Sequence, residues 1–329
     1  MKIVVTGAAG FIGSHTSEEL VARGHTVVGV DSFDDYLYPA PPKRANAKHL
    51  TATLPADAFT LIEGNICDEQ TIATAITDDV DAVCHLAALA GVRPSLQQPL
   101  KYIQTNLHGT GLIFERCREL GIKRVAFASS SSVYGVQAAD GADLTKVAAF
   151  REDDPCLAPA SPYAMTKRAG ELLCSTYRDL YGIGFSALRF FTVYGPRQRP
   201  DMAIHKFVKL ISSGQPITLF GDGTSRRDYT FVKDIVAGTV AACERVHPGS
   251  FNVYNLGNTQ TIGLRELVAT IEDVLGVEAA IEWKPMQPGD VPITFADITN
   301  AKRDLDYQPT TDMRAGVASF WQWYQQQKA

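Results

Sequence analysis

A run of serines and a downstream tyrosine–lysine pair are the residues of this chain best suited to acid–base chemistry. Ser130 lies among four consecutive serines, and Tyr163 and Lys167 stand four residues apart where a helical pattern begins. Residues at this spacing share one helical face, so an ammonium group would lie beside the phenol and lower its pKa from about 10 toward neutrality. We predict that Tyr163 is a general base activated by Lys167, and that Ser130 shares the hydrogen bond to the substrate hydroxyl.

The same tyrosine–lysine spacing occurs at two other places, Tyr229/Lys233 and Tyr324/Lys328, and is a weak signal alone. Neither of these pairs opens a helix behind a serine-rich strand end. Tyr229 follows a basic pair, and Tyr324 lies in a polar C-terminal segment. We predict that both belong to helix surfaces and take no part in catalysis.

A glycine-rich turn follows the first apolar run and opens a helical pattern. Its glycines recur at every third residue, which lets the backbone turn tightly and approach a pyrophosphate. The free N–H groups and the positive end of the helix dipole would then stabilise the phosphate charge. The residues predicted to bind the cofactor here are Gly7, Gly10, Phe11, Ile12 and Gly13.

Asp31 ends the second predicted strand, where a carboxylate can accept hydrogen bonds from both ribose hydroxyls of an adenosine. It would repel a 2′-phosphate, and the adjoining Ser32 and Phe33 offer no arginine to counter that, so NAD is favoured over NADP. The positive nicotinamide ring of NAD would act with Lys167 to favour the phenolate of Tyr163. His85 is interpreted as a packed histidine at a strand end. Besides Tyr163 and Lys167, the other predicted cofactor contacts are Asn65, Ile66, Leu86, Ala87, Ala88 and Asn106.

Short β-branched runs alternate with helical patterns through the first half of the chain. Strands buried on both faces form continuous apolar runs, and β–α alternation implies parallel pairing. We predict an α/β fold: a doubly wound, Rossmann-type parallel sheet in residues 1–190 and a smaller, mixed substrate-binding lobe in 191–329, with the chain free to cross between them. Helices are predicted at 12–22, in the forties, and at 96–119, 161–181, 203–213, 232–246, 263–275 and 312–326.

The composition excludes several classes of protein. The 329 residues carry a net charge of −5, with 45% hydrophobic and 20% charged residues, which argues against nucleic acid as a partner and against wholesale disorder. No stretch reaches the ~18 apolar residues of a membrane span, and we expect neither a secretory signal nor a membrane partner. The six cysteines form no CxxC pair, so we predict free thiols, no bound metal and a cytoplasmic location.

Together these residues resemble the extended short-chain dehydrogenase/reductase family along nearly the whole chain. Within that family the chain is most similar to nucleotide-sugar 4-epimerases, particularly those that act on UDP-glucuronate, a branch suggested by residues 199–203. Besides Asp31, the motifs that carry the resemblance are TGAAGFIG (6–13), HLAALAG (85–91), SSSSVYG (129–135), YAMTK (163–167), LRFFTVYGP (188–196), RRDYTFVKD (226–234) and MQPGDVP (286–292).

The resemblance implies NAD-dependent epimerisation at C4 of UDP-glucuronate, which gives UDP-galacturonate through a 4-keto intermediate. The hydroxyls of Ser131, Ser132 and Thr192 would contact the sugar carboxylate without fixing it tightly. Arg199 is a second candidate for contact near the sugar or the phosphates. By motif, Arg227 is expected at the pyrophosphate, Asp290 at the uridine ribose, and Met202 with Ala203 at the uracil edge.

Two alternatives stay open. The same machinery would serve a UDP-glucose or UDP-N-acetylglucosamine 4-epimerase, and a non-catalytic NAD-binding regulator would keep only the fold. Two related reactions are disfavoured. Sugar dehydratases need acids just after the catalytic serine, and UDP-glucuronate decarboxylases usually carry a glutamate where this chain has Ser132.

The resemblance also implies a homodimer. Helices 96–119 and 161–181 carry apolar stripes longer than one core needs. In the family such a pair of helices meets its copy as a four-helix bundle.

Overall fold

The computed structural model describes residues 1–135, 147–285 and 292–327. At its centre lies a seven-stranded sheet in which neighbouring strands are parallel. In chain order the strands are β1 (Lys2–Thr6), β2 (Thr26–Asp31), β3 (Phe59–Glu63), β4 (Ala82–His85), β5 (Arg124–Ser130), β6 (Gly184–Phe190), β7 (Thr192–Tyr194), β8 (Ile217–Phe220), β9 (Arg226–Arg227), β10 (Tyr229–Phe231), β11 (Phe251–Leu256), β12 (Ile262–Gly263), β13 (Ile281–Lys284) and β14 (Ile293–Thr294).

The strand order in the large sheet is β11-β6-β5-β4-β1-β2-β3. The chain therefore runs outward from β1 to β3 and then returns to place β4 on the other side of β1. This reversal makes the sheet doubly wound and confirms the predicted fold class. In such a sheet the crevice at the carboxyl ends of β1 and β4 is the expected ligand site.

Twelve α-helices connect or follow the strands in the described part of the chain. Most of the predicted helices lie within a few residues of their expected bounds. The helices are α1 (Phe11–Ala22), α2 (Pro41–Thr53), α3 (Glu69–Ala75), α4 (Val92–Gln97), α5 (Pro99–Ile103), α6 (Gly109–Leu120), α7 (Pro162–Tyr181), α8 (Ala203–Ile211), α9 (Val232–Arg245), α10 (Leu264–Leu275), α11 (Thr299–Leu305) and α12 (Met313–Gln326). Across the three described ranges, no helix is long and apolar enough to cross a membrane.

The helix predicted at 96–119 is observed as a helical run over 99–120 that begins three residues later and contains a π-helical turn. The structure divides this region among α4, α5, a π-helical turn at Gln104–His108, and α6. Pro99 has no N–H to continue the preceding helix, so a new helix begins there. The wider π turn then shifts the helical register before α6.

Helices cover both faces of the large sheet because its strands are apolar on both. Val4 and Val83 belong to a core with α3, α6 and α7, whereas Ile3 and Val5 belong to a core with α1, α2 and α9. The second of these cores extends into the smaller lobe and includes Phe320 of α12. The two lobes therefore share one continuous hydrophobic core.

Three small sheets build the smaller lobe: β7 with β10, β9 between β12 and β14, and β8 with β13. After residue 190 the chain returns to the large sheet, since β11 pairs in parallel with Phe185–Phe190 of β6. Residues 251–256 therefore belong to the large sheet although they follow residue 190 in the sequence. The carboxyl end of β11 lies at the same edge of the sheet as the carboxyl ends of β5 and β6.

Tyr229 and Tyr324 do not lie on exposed helix surfaces, contrary to the prediction. Tyr229 belongs to strand β10 and Tyr324 to α12, and both side chains are buried. Tyr324 stacks on Phe320 with ring centroids 6.1 Å apart. Packing within the smaller lobe explains both tyrosines, and neither lines the cavity described next.

Candidate active site

The glycine-rich turn after β1 forms one wall of a cavity of about 480 Å³. Gly7 has a φ of +72°, a left-handed conformation that side chains disfavour. A Cβ atom at Gly13 would lie 2.0 Å from the carbonyl oxygen of Gly7, so only glycine fits there. Because α1 begins at Phe11, directly after the turn, the positive end of its dipole lies at the cavity. The turn therefore fits the pyrophosphate of a dinucleotide.

Asp31 lies at the carboxyl end of β2 and lines the same cavity. Its carboxylate accepts hydrogen bonds from the backbone N–H groups of Ala9, at 3.0 Å, and Phe33, at 2.9 Å. Burial raises the pKa of Asp31, while these N–H groups and the charge of Lys43 oppose the shift. An acceptor held in this way fits the ribose hydroxyls of an adenosine.

Lys43 of α2 also lines the cavity, and sequence analysis missed it. Its Nζ donates to the carbonyl oxygen of Asp34 and lies 3.9 Å from the centre of the Tyr38 ring. Lys43 is not among the residues next to Asp31 in the sequence. The folding of α2 onto the cavity brings this cation from twelve residues further along the chain.

Most of the predicted site residues line this one cavity. Three of them, Asn106, Ala203 and Arg227, do not line it, and Asp290 lies outside the described residues. The predicted residues that do line the cavity are Gly7, Gly10, Phe11, Ile12, Gly13, Asp31, Asn65, Ile66, Leu86, Ala87, Ala88, Ser130, Ser131, Ser132, Tyr163, Lys167, Thr192, Arg199 and Met202.

Asn106 is buried in the π-helical turn, and its amide bonds to other parts of the protein. It accepts a hydrogen bond from the backbone N–H of Leu89 at 2.8 Å and donates to the Leu89 carbonyl oxygen at 2.9 Å. It also donates to the Thr166 hydroxyl at 3.0 Å. Asn106 thus holds the segment after β4 against α7.

Arg227 and Ala203 belong to elements that follow residue 190, and neither lines the cavity. Arg227 belongs to β9, and its Nη1 donates to the carbonyl oxygens of Arg226 and Pro292 at 2.9 and 3.3 Å. Ala203 is the first residue of α8 and follows Met202, which lines the cavity.

His85, at the end of β4, is buried and is not among the cavity residues. Hydrogen bonds join its two ring nitrogens to the hydroxyls of Thr6, at 2.7 Å, and Thr110, at 2.9 Å. Burial lowers the pKa of His85 to about 3, so the ring is neutral at physiological pH. Its position is that of a packed histidine at a strand end.

The carboxyl end of β5 and the first turns of α7 bring Ser130, Tyr163 and Lys167 together at the cavity. The helix begins one residue before Tyr163. It is capped by the hydroxyl of Ser161, which accepts a hydrogen bond from the backbone N–H three residues on, at 3.1 Å. This cap fixes the start of α7, and the spacing of four residues then places Tyr163 and Lys167 on one face.

Ser130 is hydrogen-bonded within its own segment and to Tyr163. The Ser132 hydroxyl donates to the Ser130 hydroxyl oxygen at 2.9 Å. The hydrogen bond with Ser130 and the charge of Arg199 each lower the pKa of Tyr163, but burial has the largest effect and raises it above the usual range. In the protein alone, Tyr163 is therefore a neutral phenol at physiological pH.

The activation of Tyr163 by Lys167 together with a positive nicotinamide ring stays a prediction. The shifts in the pKa of Tyr163 come from burial, Ser130 and Arg199. The Nζ of Lys167 donates to the carbonyl oxygen of Ala128 at 2.6 Å, and burial lowers the pKa of Lys167 to about 7. Both groups lose their water on burial, an effect that the sequence spacing does not reveal.

A group of hydroxyls and one guanidinium complete the cavity. Ser131, Ser132 and Thr192 line it beyond Ser130. Arg199 also lines it and is paired with Asp201 through its Nε and Nη2 atoms, at 3.1 and 2.9 Å. This end of the cavity offers neutral hydrogen-bonding groups together with a cation.

A doubly wound sheet, a pyrophosphate-binding turn and a Ser–Tyr–Lys set at one cavity define a dinucleotide-dependent enzyme of the short-chain dehydrogenase/reductase type. The chain belongs to the NAD dependent epimerase/dehydratase family, whose model matches residues 3–257. This confirms the resemblance found in the sequence, and NAD is the cofactor.

The chain is similar to characterised members of this family over its whole length. It is 40% identical to UDP-glucuronate 4-epimerase 4 of Arabidopsis thaliana, over 98% of this chain and 75% of that protein. It is 37% identical to UDP-glucuronate 4-epimerase of Thermodesulfobacterium geofontis, over 97% of this chain and 95% of that protein. The crystal structure of UDP-glucuronic acid 4-epimerase from Bacillus cereus, in complex with UDP-glucuronic acid and NAD, matches with a TM-score of 0.89 and 36% identity, over 99% of this chain and 100% of that chain.

Proposed function

We propose that this enzyme epimerises UDP-glucuronate at C4, giving UDP-galacturonate, with NAD as a retained cofactor. The observation that carries the proposal is that one cavity joins the dinucleotide turn and Asp31 to Ser130, Tyr163 and Lys167. The full-length similarity to UDP-glucuronate 4-epimerases supports the choice of sugar.

The residues that would hold NAD fit the group. The turn at Gly7–Gly13 admits a pyrophosphate because no side chain fills the space, and Asp31 presents fixed oxygens to a ribose. When bound, NAD supplies a hydride acceptor and, once reduced, a hydride donor. Asn65, Ile66 and the residues Leu86–Ala88 would line its adenine and nicotinamide halves.

Tyr163 would take the proton of the sugar 4-hydroxyl and later return it to the 4-oxygen, once the sugar has turned its opposite face to the cofactor. Its phenol must first lose its own proton, which burial disfavours. Positive charge brought near the ring favours the phenolate, and two sources are at hand: the ammonium of Lys167 and an oxidised nicotinamide. Ser130 would hold the same substrate hydroxyl. With both positive charges beside it, Tyr163 would be an effective base.

The hydroxyls of Ser131, Ser132 and Thr192 would contact the carboxylate at C5. Neutral donors hold a carboxylate less tightly than a bidentate cation does, so the 4-keto sugar keeps its freedom to turn. The absence of an acid at positions 131 and 132 disfavours elimination and decarboxylation. Arg199 would lie near the sugar or the phosphates, with Met202 and Ala203 at the uracil, Arg227 at the pyrophosphate and Asp290 at the uridine ribose.

A second candidate is a UDP-glucose or UDP-N-acetylglucosamine 4-epimerase. The observation that favours it is that the same neutral hydroxyls can also bind a hydroxymethyl group. A non-catalytic NAD-binding regulator is disfavoured, since Ser130, Tyr163 and Lys167 all line the cavity.

Parallel incubation with UDP-glucuronate and UDP-glucose, without added NAD, tests the proposed function. We expect conversion of UDP-glucuronate to UDP-galacturonate, with a kcat/KM at least about 10-fold above that for UDP-glucose, because charge-assisted hydrogen bonds reach only the carboxylate. The products are identified by chromatography. Faster turnover of UDP-glucose would show that the sugar assignment is wrong.

The same incubation with Ser131→Ala/Thr192→Val examines the carboxylate contacts. Removing two hydrogen bonds to a charged group should lower kcat/KM for UDP-glucuronate about 10²-fold. The value for UDP-glucose should change much less. If the preference for glucuronate is unchanged, these hydroxyls do not recognise the carboxylate.

We also propose that the enzyme is a homodimer formed by a four-helix bundle. Large apolar side chains are exposed on the two regions that would meet a second copy: Leu96, Leu100 and Ile103 on α4 and α5, and Leu172, Leu180 and Tyr181 on α7. Sedimentation equilibrium should give twice the chain mass, and Leu100→Asp/Leu172→Asp should give the monomer because it buries two charges in the interface. Val277→Asp, at an exposed apolar residue outside these helices, is the control and should stay dimeric. A monomeric wild type would contradict the proposal.

The cytoplasm is the proposed location. All six cysteines are free thiols, and five of them are buried. Free thiols are the usual state in a reducing compartment.

A further inference from the structure

A cluster of buried charged residues lies next to the end of β5, the strand that carries Ser130. Glu171 of α7 and Arg189 of β6 are 1% and 2% exposed and form a bidentate ion pair. The Arg189 Nε and Nη2 atoms lie 2.8 and 2.9 Å from the two carboxylate oxygens. No proposed contact with NAD or with the sugar uses either residue.

Both oxygens of Glu171 have a second partner. The Ser129 hydroxyl donates to Oε1 at 2.6 Å, and Arg168 Nη1 donates to Oε2 at 2.9 Å. The carboxylate thus accepts four hydrogen bonds, two at each oxygen. Since Ser129 immediately precedes Ser130, this contact ties the end of β5 to α7.

Glu171 also follows Lys167 by one helical turn. Residues at this spacing are neighbours on a helix, and a lysine–glutamate pair there attracts. The charge of Glu171 indeed raises the pKa of Lys167, against the larger effect of burial. Even so, the Lys167 ammonium donates to the Ala128 carbonyl oxygen, on the side of the strand end.

We propose that Glu171 and Arg189 are positioning residues for the reaction. Arg189 occupies the carboxylate of Glu171 and so prevents Glu171 from forming an ion pair with Lys167. Glu171 in turn binds Ser129 and so fixes the strand end that presents Ser130 to Tyr163. The inference rests on the proposed function in that it assigns the catalytic proton to Tyr163 and its activation to Lys167.

Other charged and titratable groups face this pair: Arg168 acts on Glu171, and Tyr134 and Glu152 interact with Arg189. Lys167 is affected by Glu171 and Cys174, and its own charge acts on His85. Tyr163 is affected by Arg199. If Arg189 is lost, Glu171 keeps its ion pair with the partly exposed Arg168 at Oε2, and Lys167, one helical turn away, is the buried cation that can take the place of Arg189.

Arg189→Met tests the inference. We expect kcat to fall at least about 10-fold with KM within about threefold of wild type, because the proton transfer loses its cation while the sugar contacts stay. Arg189→Lys keeps the positive charge but not the bidentate guanidinium, and it should retain most of the kcat. Glu171→Gln/Arg189→Met removes both charges and should recover kcat to within about fivefold of wild type, since no carboxylate then competes for Lys167.

A spectroscopic readout makes the test independent of the sugar. The phenolate absorbance of the NAD-loaded protein is titrated, and the Tyr163→Phe curve is subtracted to isolate Tyr163. Arg189→Met should raise the pKa of Tyr163 by about one unit, and the double variant should restore it. Kinetics use whichever UDP-sugar the wild type turns over, so a wrong sugar assignment does not affect the comparison.

Circular dichroism and bound-NAD content confirm that each variant is folded. If Arg189→Met does not fold, Arg189→Gln, which is neutral but keeps hydrogen-bond donors, replaces it. An unchanged kcat and an unchanged Tyr163 titration in the single variant would overturn the inference. A double variant whose kcat is no higher than that of the single variant would also overturn the inference. If the two residues had a purely structural role, the losses in kcat from the two substitutions would add.

Discussion

Replacing Tyr163 with phenylalanine is expected to lower kcat for C4 epimerisation about 10³-fold and to leave NAD bound, because a positioned acid–base group contributes on that order. The change removes one hydroxyl and keeps the ring. The ring packs edge-on against Tyr102, with centroids 6.2 Å apart, and phenylalanine preserves that contact. NAD retention should not change, since the glycine turn and Asp31 are untouched. Product formation is followed by chromatography, and NAD is measured after denaturing the protein.

Tyr229→Phe is a matched control for this prediction. Tyr229 precedes a lysine by the same four residues and is also buried, but it belongs to β10 and does not line the cavity. Its kcat should stay within about threefold of wild type, as expected for a residue that contacts no reacting group. A Tyr163→Phe enzyme with normal turnover would refute the assignment of the general base.

The second large effect is expected for Gly13→Ala, which should yield protein without bound NAD. The added Cβ would lie 2.0 Å from the Gly7 carbonyl oxygen and 3.1 Å from the Cα of Ala8. Both neighbours are backbone atoms, so the turn must open to admit the methyl group. An opened turn can no longer bring its N–H groups to a pyrophosphate. Nucleotide released on denaturation measures the loss.

Gly111→Ala is the control for that substitution. A Cβ at Gly111 meets nothing within 4 Å, and the residue lies inside helix α6, where alanine is favoured over glycine by roughly 0.5–1 kcal/mol. This variant should keep its NAD and unfold at a slightly higher temperature. Full NAD content in Gly13→Ala would mean that the turn does not bind the pyrophosphate.

Much of the fold and of the cavity was predictable because the informative residues are local. Gly7–Gly13 and Asp31 directly follow or end apolar runs, and a parallel sheet gathers the carboxyl ends of such runs at one edge. The same holds for Ser130 after β5 and for Tyr163 at the start of α7. The start predicted for the helix at 96–119 was three residues too early because Pro99 begins a new helix, and the apolar pattern does not express the π turn within that helix.

What the sequence did not reveal depends on contacts between distant segments. Lys43 reaches Asp31 only through the packing of α2, and Asn106 faces Leu89 and Thr166 only because the π turn directs it there. The raised pKa of Tyr163 is likewise a consequence of burial, which spacing along a helix does not express. Burial also lowers the pKa of Lys167 to about 7, which the sequence does not express either.

The position of β11 has a consequence for how the protein is made. This strand completes the large sheet beside β6, yet it is translated some sixty residues later. Until the ribosome has delivered it, the edge of β6 offers unpaired N–H and C=O groups to any other nascent chain. A gene truncated after residue 190 would therefore encode a protein in which the edge of β6 stays unpaired and prone to aggregation. It would not encode an independent cofactor-binding domain.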